Sequence, residues 1–329
     1  MADVTTRDVT TPITPGAGAP ASAPGPQTGD TPRGFLLAAI AYVMWGFLPF
    51  FMKGIAHIPA AEVVAHRIVW SVPLVGAYIL WLGRTEDLKA ALRSFRMLRM
   101  AALTALLVTF NWGIYVWSIA VGRTLEAALG YYINPLFSIF LGAVLLKEKL
   151  SRAQMVAIAL AAAAVAIVAY DAGGLPWVSL GLCVSWGFYA FFRKTLPIGP
   201  NQGFFLEVLL LSVPSLLFIL YLEASGQGHF GDTGPADVVW LLSSGLVTAV
   251  PLLFYANGAK LLRLSTIGIM QYIAPSMVFL IAVFIFGEPF GMVKLFAFVL
   301  IWAALVVYTS SMVLTSRANR RATSANAKV

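Results

Sequence analysis

Charge is scarce in this chain. Lys, Arg, Asp and Glu make up 11% of its 329 residues, where an ordinary soluble domain carries about a quarter, so a water-soluble globule is excluded. Cysteine is nearly absent. Cys183 stands alone in an apolar run, which rules out an intrachain disulfide and a thiolate metal cage and reads as a buried, inert thiol. No G-x-x-x-x-G-K-[ST] phosphate loop occurs, so ATP-driven pumping by this chain alone is disfavoured. Neither an H-E-x-x-H zinc helix nor a G-x-S-x-G nucleophile turn is present, and no filter-like segment recurs four times as in some channels. These residues lead to no expected metal or cofactor.

What is present is apolar text: 60% hydrophobic residues and a mean hydropathy of +0.84, the composition of an integral membrane protein whose first partner is the lipid bilayer. A net charge of +8 comes without a basic patch or nucleic-acid motif. It points to cytoplasmic loops and anionic headgroups rather than to nucleic acid. Residues 1–33, rich in Thr, Pro, Ala and Gly, read as a disordered cytoplasmic tail, and the first apolar segment starts too late and runs too long for a cleaved signal. Ten stretches reach the roughly 20 residues that cross about 30 Å of hydrocarbon: 34–55, 61–82, 98–121, 125–147, 151–170, 174–195, 202–223, 236–260, 264–286 and 290–314. With those spans, 18 of the 22 Lys and Arg residues fall on the N-terminal side, and Lys53, Arg67, Arg123 and Lys294 on the other. Both termini are therefore expected in the cytoplasm.

The chain also repeats itself. Trp45–Lys53 reads WGFLPFFMK and Trp186–Lys194 reads WGFYAFFRK, six matches in nine at an offset of 141 (186 − 45). Ser71, Val72 and Pro73 recur as Ser212, Val213 and Pro214 at the same offset, and Tyr132, Ile133 and Pro135 recur as Tyr272, Ile273 and Pro275 at 140. A near-constant spacing over separated motifs marks a duplication. Ten spans then divide into five per copy, and an odd number turns the second copy over. The expected fold is all-α and polytopic, with ten transmembrane helices in two inverted five-helix repeats over 34–170 and 173–314, and a basic cytoplasmic tail over 315–329. Inverted repeats are the architecture of secondary transporters, with the site between the halves near the bilayer midplane.

Polar groups inside spans are costly, so each is a candidate. Glu62 and His66 are four apart on one face of the second span, which makes a mutual hydrogen bond sterically reasonable, while Arg67 points elsewhere. The repeat frame pairs His66 with Glu207. Two readings stand: coupling or gating by Glu62, His66, Arg67 and Glu207, with proton coupling or a charged substrate, or a headgroup-level Glu62, a snorkelling Arg67 and a His66 bonded to backbone. The third span carries a stripe of Asn111, Tyr115 and Ser118, and the fourth carries Asn134 beside Tyr131, Tyr132 and Pro135. Tyr255 matches Tyr115, and Gln271 with Tyr272 matches Tyr131 with Tyr132. These residues form either a substrate pocket or interhelical packing bonds. Pro135 and Pro275 are the expected helix breaks. Trp45 and Trp186, with Phe47, Phe50 and Phe51 and their partners Phe188, Phe191 and Phe192, are aromatic walls or packing anchors. Gly46 and Gly187 admit a close helix neighbour. Glu148 and Glu288, equivalent at 140, lie at span ends, Glu148 in a solvated setting between Lys147 and Lys149.

The phrases AYVMWGFLPFFMK, EVVAHRIVWS, FNWGIYVWSIAVG, LGYYINPLFSIFLGAVLLKEKLS and QYIAPSMVFLIAVFIFGEPF resemble the RarD group of EamA-type transporters in the drug/metabolite transporter superfamily. The likeness spans about residues 34–314. It implies a multi-pass permease of the bacterial inner membrane, often labelled chloramphenicol-sensitive protein, with family residues at Glu62, His66, Arg67, Asn111, Trp112, Tyr132, Asn134 and Pro135. The expected function is secondary transport of a small organic metabolite or drug-like molecule by alternating access. A membrane-embedded enzyme, with Glu62 and His66 its one candidate cluster, and a non-transporting receptor or scaffold are the competing classes. Cargo, direction, coupling ion and oligomeric state are not legible in the residues.

Overall fold

The computed structural model describes residues 30–326 apart from 146, 148, 196, 232 and 233, with backbone alone for 194, 195, 264, 265 and 315–326. Residues 1–29 of the tail expected over 1–33, and Glu148, lie outside the described residues. Every regular element among those described is helical. The first half holds α1 (Pro32–Gly54), α2 (Ala60–Trp81), α3 (Glu86–Leu92), α4 (Phe95–Ala120), α5 (Thr124–Leu145) and α6 (Arg152–Asp171). The second holds α7 (Trp177–Thr195), α8 (Pro200–Ala224), α9 (Pro235–Ala259), α10 (Leu264–Met270), α11 (Ile273–Leu280) and α12 (Met292–Asn326). Nine helical segments among the described residues are long and apolar enough to cross a membrane. The tenth span is α7, which packs against α4 and α5. That sheltered place lets it carry Ser179, Ser185 and Arg193 where a lipid-facing helix would not.

Local chemistry sets the ends. Thr31 caps α1 by accepting from the Gly34 amide at 3.0 Å, with Pro32 in the first turn. Ser151 and Gln154 form a reciprocal capping box on α6. Four boundaries depart from the sequence expectations. Within the expected tail, the Asp30 carboxylate grips the Arg263 guanidinium and backbone amide and Thr266 Oγ1, and α1 begins at Pro32. The amphipathic α3 is an addition, its seven residues too few to register as a period. The last helix runs through Asn326 instead of stopping near 314. The helix breaks are also misplaced. Pro135 sits inside a continuous α5, since a proline removes one donor and frees one carbonyl without ending a long, well-packed helix. The ninth span instead breaks at Gln271 and Tyr272, before Pro275, and widens to a π-turn at Ile281–Ile285.

The packing has the symmetry of an inverted repeat. Helix α1 packs on α9 and α11, and its counterpart α7 packs on α4 and α5. Likewise α2 lies on α9 and α8 on α4, while α2 with α8, α5 with α11 and α6 with α12 pair across the pseudo-axis. One contact occurs twice in detail. A Cβ on Gly46 would lie 2.5 Å from Met277 Sδ, and one on Gly187 would lie 2.4 Å from Phe137 Cδ1, and 46 and 137 map onto 187 and 277 at the repeat offsets. Each half therefore lends its first two helices to the other, producing one bundle of α1, α2, α9, α10 and α11 and a second of α4, α5, α7 and α8. The face bearing the start of α1 and the end of α12 is called inner here and the opposite face outer. Large apolar side chains such as Leu80, Trp81, Leu106, Phe110, Leu217 and Phe284 are exposed on the flanks, where hydrocarbon replaces a protein neighbour.

Candidate functional site

The clearest polar feature of the interior is Arg67, seven residues into α2 and about 10 Å from its outer end at 1.5 Å per residue. It points away from the partners of Glu62 and His66, as the spacing suggested, but it does not snorkel. The residue is 3% exposed. Its Nε donates to Thr248 Oγ1 of α9 at 2.9 Å, and its guanidinium carbon lies 4.7 Å from the Trp112 ring centre of α4. The phenols of Tyr115 and Tyr131 are near enough to interact with it electrostatically. Among the described residues no carboxylate pairs with it, and its buried Nη1 meets no hydrogen-bond partner. A guanidinium stays charged inside a protein. Removing one from water costs several kcal/mol, against about 2 for a desolvated cation–π contact and about 2 for a charged hydrogen bond. The remaining donor capacity is unspent.

Around Arg67 stands an aromatic wall. Tyr131 lies 5.8 Å from Tyr115 and 6.4 Å from Trp186, and Trp186 lies 5.3 Å from Tyr189. Tyr131, Trp186 and Tyr189 are half-buried although they sit inside the bundle. Asn111 fixes this wall: its Nδ2 donates to Leu182 O at 3.0 Å and Ser185 Oγ at 2.9 Å, and its Oδ1 accepts from Tyr131 at 3.0 Å. Asn111 is thus bonded across three helices, and Ser118 turns back to the Tyr115 carbonyl.

The other sequence candidates separate into distinct places. Trp45 and Tyr255 stand 5.5 Å apart with Tyr42 in the opposite bundle, the symmetry-related counterpart of the Trp186 wall. Gln271 donates to Gly268 O within its own span. Tyr132 bonds Ser276 Oγ at 2.7 Å and stacks on Tyr272, joining α5 to α11 between the bundles. The Tyr272 hydroxyl and Asn134 Oδ1 are buried without partners. Glu62 and His66 do not bond to each other. The Glu62 carboxylate takes the backbone amide and Nδ1 of His229, from the outer loop before α9, at 2.7 and 2.8 Å, while His66 Nδ1 accepts from Trp70 and its ring stacks on Phe230. Four-residue spacing put them on one face, but a long-range loop claimed the carboxylate. The Glu62–His66 bond considered in the sequence is therefore absent. Glu207 lies toward the inner face, 3.2 Å from Arg193 Nε and bonded to Thr104 and Tyr189. Thr248, Tyr189 and His229 escaped the sequence reading because no repeat match or polar stripe marks them.

The bundles are tied at their outer ends. Both Glu288 oxygens accept from the first amides of α5, Thr124 N at 2.7 Å and Leu125 N at 2.8 Å. Nearby, Arg123 bonds Glu126 at 2.7 Å and lies over Trp177. On the inner face, Gly83, Arg84, Glu86, Asp87, Gly199, Gln202 and Lys260 line a cleft of about 260 Å³ between the two bundles. At its rim, burial and the nearby Arg84 charge pull the Lys260 ammonium below its usual range.

The EamA-like transporter family model matches twice, over residues 32–170 and 174–310. The chain belongs to the EamA-like transporter family. It is 40% identical over 287 residues to Protein RarD of Streptomyces exfoliatus, covering 87% of this chain and 91% of that one. It is 38% identical over 300 residues to the uncharacterized transporter YojE of Bacillus subtilis, covering 89% and 99%. Protein RarD of Escherichia coli K12 is 35% identical over 288 residues, 88% and 97% of the two chains. One crystal structure at 18% identity aligns over 84% of this chain and 96% of its own with a TM-score of 0.55, a likeness of fold alone. Family membership, with ten spans in two inverted repeats, makes this EamA-like protein a multi-pass membrane transporter of the RarD type.

Proposed function

We propose that the protein is a secondary permease of the bacterial inner membrane, moving a small organic molecule by rocking its two bundles about a site walled by Trp112, Tyr115, Tyr131 and Trp186. The observation that carries this reading is the placement of ties between bundles: Glu288 on α5, Tyr132 on Ser276 and Arg67 on Trp112 lie in the outer half, while a cleft opens at the inner face. On this reading the molecule is in its outward-closed state. Inverted repeats supply the opposite state by exchanging the conformations of the two halves. Trp45, Tyr255, Gln271 and Tyr272 then belong to the matching wall that the second state uses. Both termini are placed in the cytoplasm, following the basic inner loops.

His66 and Glu207 occupy equivalent positions near opposite faces, Glu207 beside Arg193 and Tyr189. They are the proposed proton-coupling pair. Counterflow in proteoliposomes against amino acids, nucleosides, sugars and amphenicols tests the permease, and no exchange of any compound refutes it. For the coupling, His66→Ala and Glu207→Gln should each change the pH profile of flux. Two unchanged profiles would discard the pair while leaving transport intact.

A further inference from the structure

We propose that Arg67 is the recognition site for a carboxylate, so that the cargo is a small organic monoanion with a flat or apolar body. The inference rests on the permease reading and adds the substrate class. Arg67 is a permanent cation deep in a membrane protein, with Thr248 on one nitrogen, the Trp112 ring against the guanidinium and a buried Nη1 that meets no hydrogen-bond partner among the described residues. Its nearest acid along α2, Glu62, is committed to His229. A structural arginine in this setting would carry an acidic partner, as Arg193 does with Glu207 and Arg123 with Glu126. Arg67 has hydroxyl and aromatic neighbours instead.

The chemistry selects among anions. A guanidinium presents parallel N–H groups that match the two oxygens of a carboxylate. The phenols of Tyr115 and Tyr131, close to the guanidinium, add neutral donors for the same group. One positive charge balances one negative charge, so a phosphate dianion would leave a surplus in a low-dielectric interior. The half-buried faces of Tyr131 and Trp186 suit a ring or short hydrocarbon body. Because Arg67 and Thr248 belong to the bundle of α1, α2, α9, α10 and α11 while Trp112, Tyr115 and Tyr131 belong to the other, the bound carboxylate would touch both moving bodies.

The test uses the full-length protein in lipid nanodiscs, with calorimetric titration of benzoate and phenylacetate, their amides, and phenyl phosphate. The carboxylates should bind saturably and about tenfold or more tighter than the matching amides, with phenyl phosphate weaker than either carboxylate. Arg67→Gln should remove this preference by lowering acid binding far more than amide binding, Thr248→Val should weaken it, and Arg67→Lys should restore part of it. Equal binding of acid and amide by the unaltered protein overturns the proposal even if the variants fail to fold. So does undiminished acid binding by a folded Arg67→Gln, a preference for phenyl phosphate, or no saturable binding of any probe. Counterflow separates the two readings. Flux of neutral compounds with no carboxylate preference keeps the permease and rejects the anion site, whereas Arg67-dependent carboxylate binding without exchange of any compound keeps the site and rejects the permease.

Discussion

Replacing Glu288 by glutamine should unlock the outer face. The carboxylate accepts two charge-assisted bonds, at 2.7 and 2.8 Å, from amides at the start of α5, where the helix has no donors' partners of its own and its dipole favours negative charge. A lost cap costs about 1 kcal/mol and the lost charge about 1 more. That support exists only while the end of the ninth span touches α5, so the change falls on the outer-closed state. About 2 kcal/mol corresponds to roughly a 30-fold shift in the conformational equilibrium. The sole cysteine, Cys183, is buried, so a Cys183→Ala background carrying Ala128→Cys, a fully buried position one turn below Thr124, reports opening through its rate of modification by an impermeant maleimide from outside. The rate should rise about tenfold to thirtyfold in Glu288→Gln and further in Glu288→Ala. Rates within twofold of the parent in both, with melting temperatures showing folded protein, would refute the latch.

Three further outcomes follow from the geometry. Glu207→Gln leaves Arg193 beside an uncharged amide and should destabilise the protein by about 2 kcal/mol, toward the low end for a broken pair because Arg193 is partly exposed and keeps Pro200 O. Combining Arg193→Met with Glu207→Leu should recover most of that in thermal melts. Gly245→Ala puts a Cβ 2.4 Å from the Trp70 carbonyl carbon and should cost about 1–3 kcal/mol by overpacking α2 against α9, whereas Gly113→Ala meets open space and should be near neutral in the same assay. Hydrogen bonding to Arg263 holds the Asp30 carboxyl down to about 2, below an unfolded value of about 3.9. Its contribution is therefore complete above pH 4 and lost as pH falls from 4 through 2. Hydrogen exchange at residues 30–34, corrected for intrinsic rates, should be flat from pH 8 to 5 and rise below 4, and Arg263→Gln should abolish that rise. Equal protection at pH 5 and 2.5 would count against the clamp.

The sequence by itself determined the class of molecule, the number of spans and their inversion, because hydropathy and an offset of 140 or 141 are properties of the chain read in one dimension. It also determined that Gly46 and Gly187 face close neighbours, since the small residue recurs at equivalent places. Only the tertiary structure decided who meets whom. Glu62 and His66, adjacent on one helix face, were drawn apart by His229 and Trp70, partners more than 160 residues away in one case and one turn away in the other. Pro135 bent no helix to an end, because a helix packed on two sides holds its course. Arg67 looked like a cation able to reach a headgroup. Thr248, which carries no mark in the sequence, and Trp112 hold it in the interior. Periodicity and repetition report which side of the membrane or which half of the chain a residue belongs to, but the partner of a buried charge is set by contacts across 181 positions of sequence and exists only once the bundles have closed on each other.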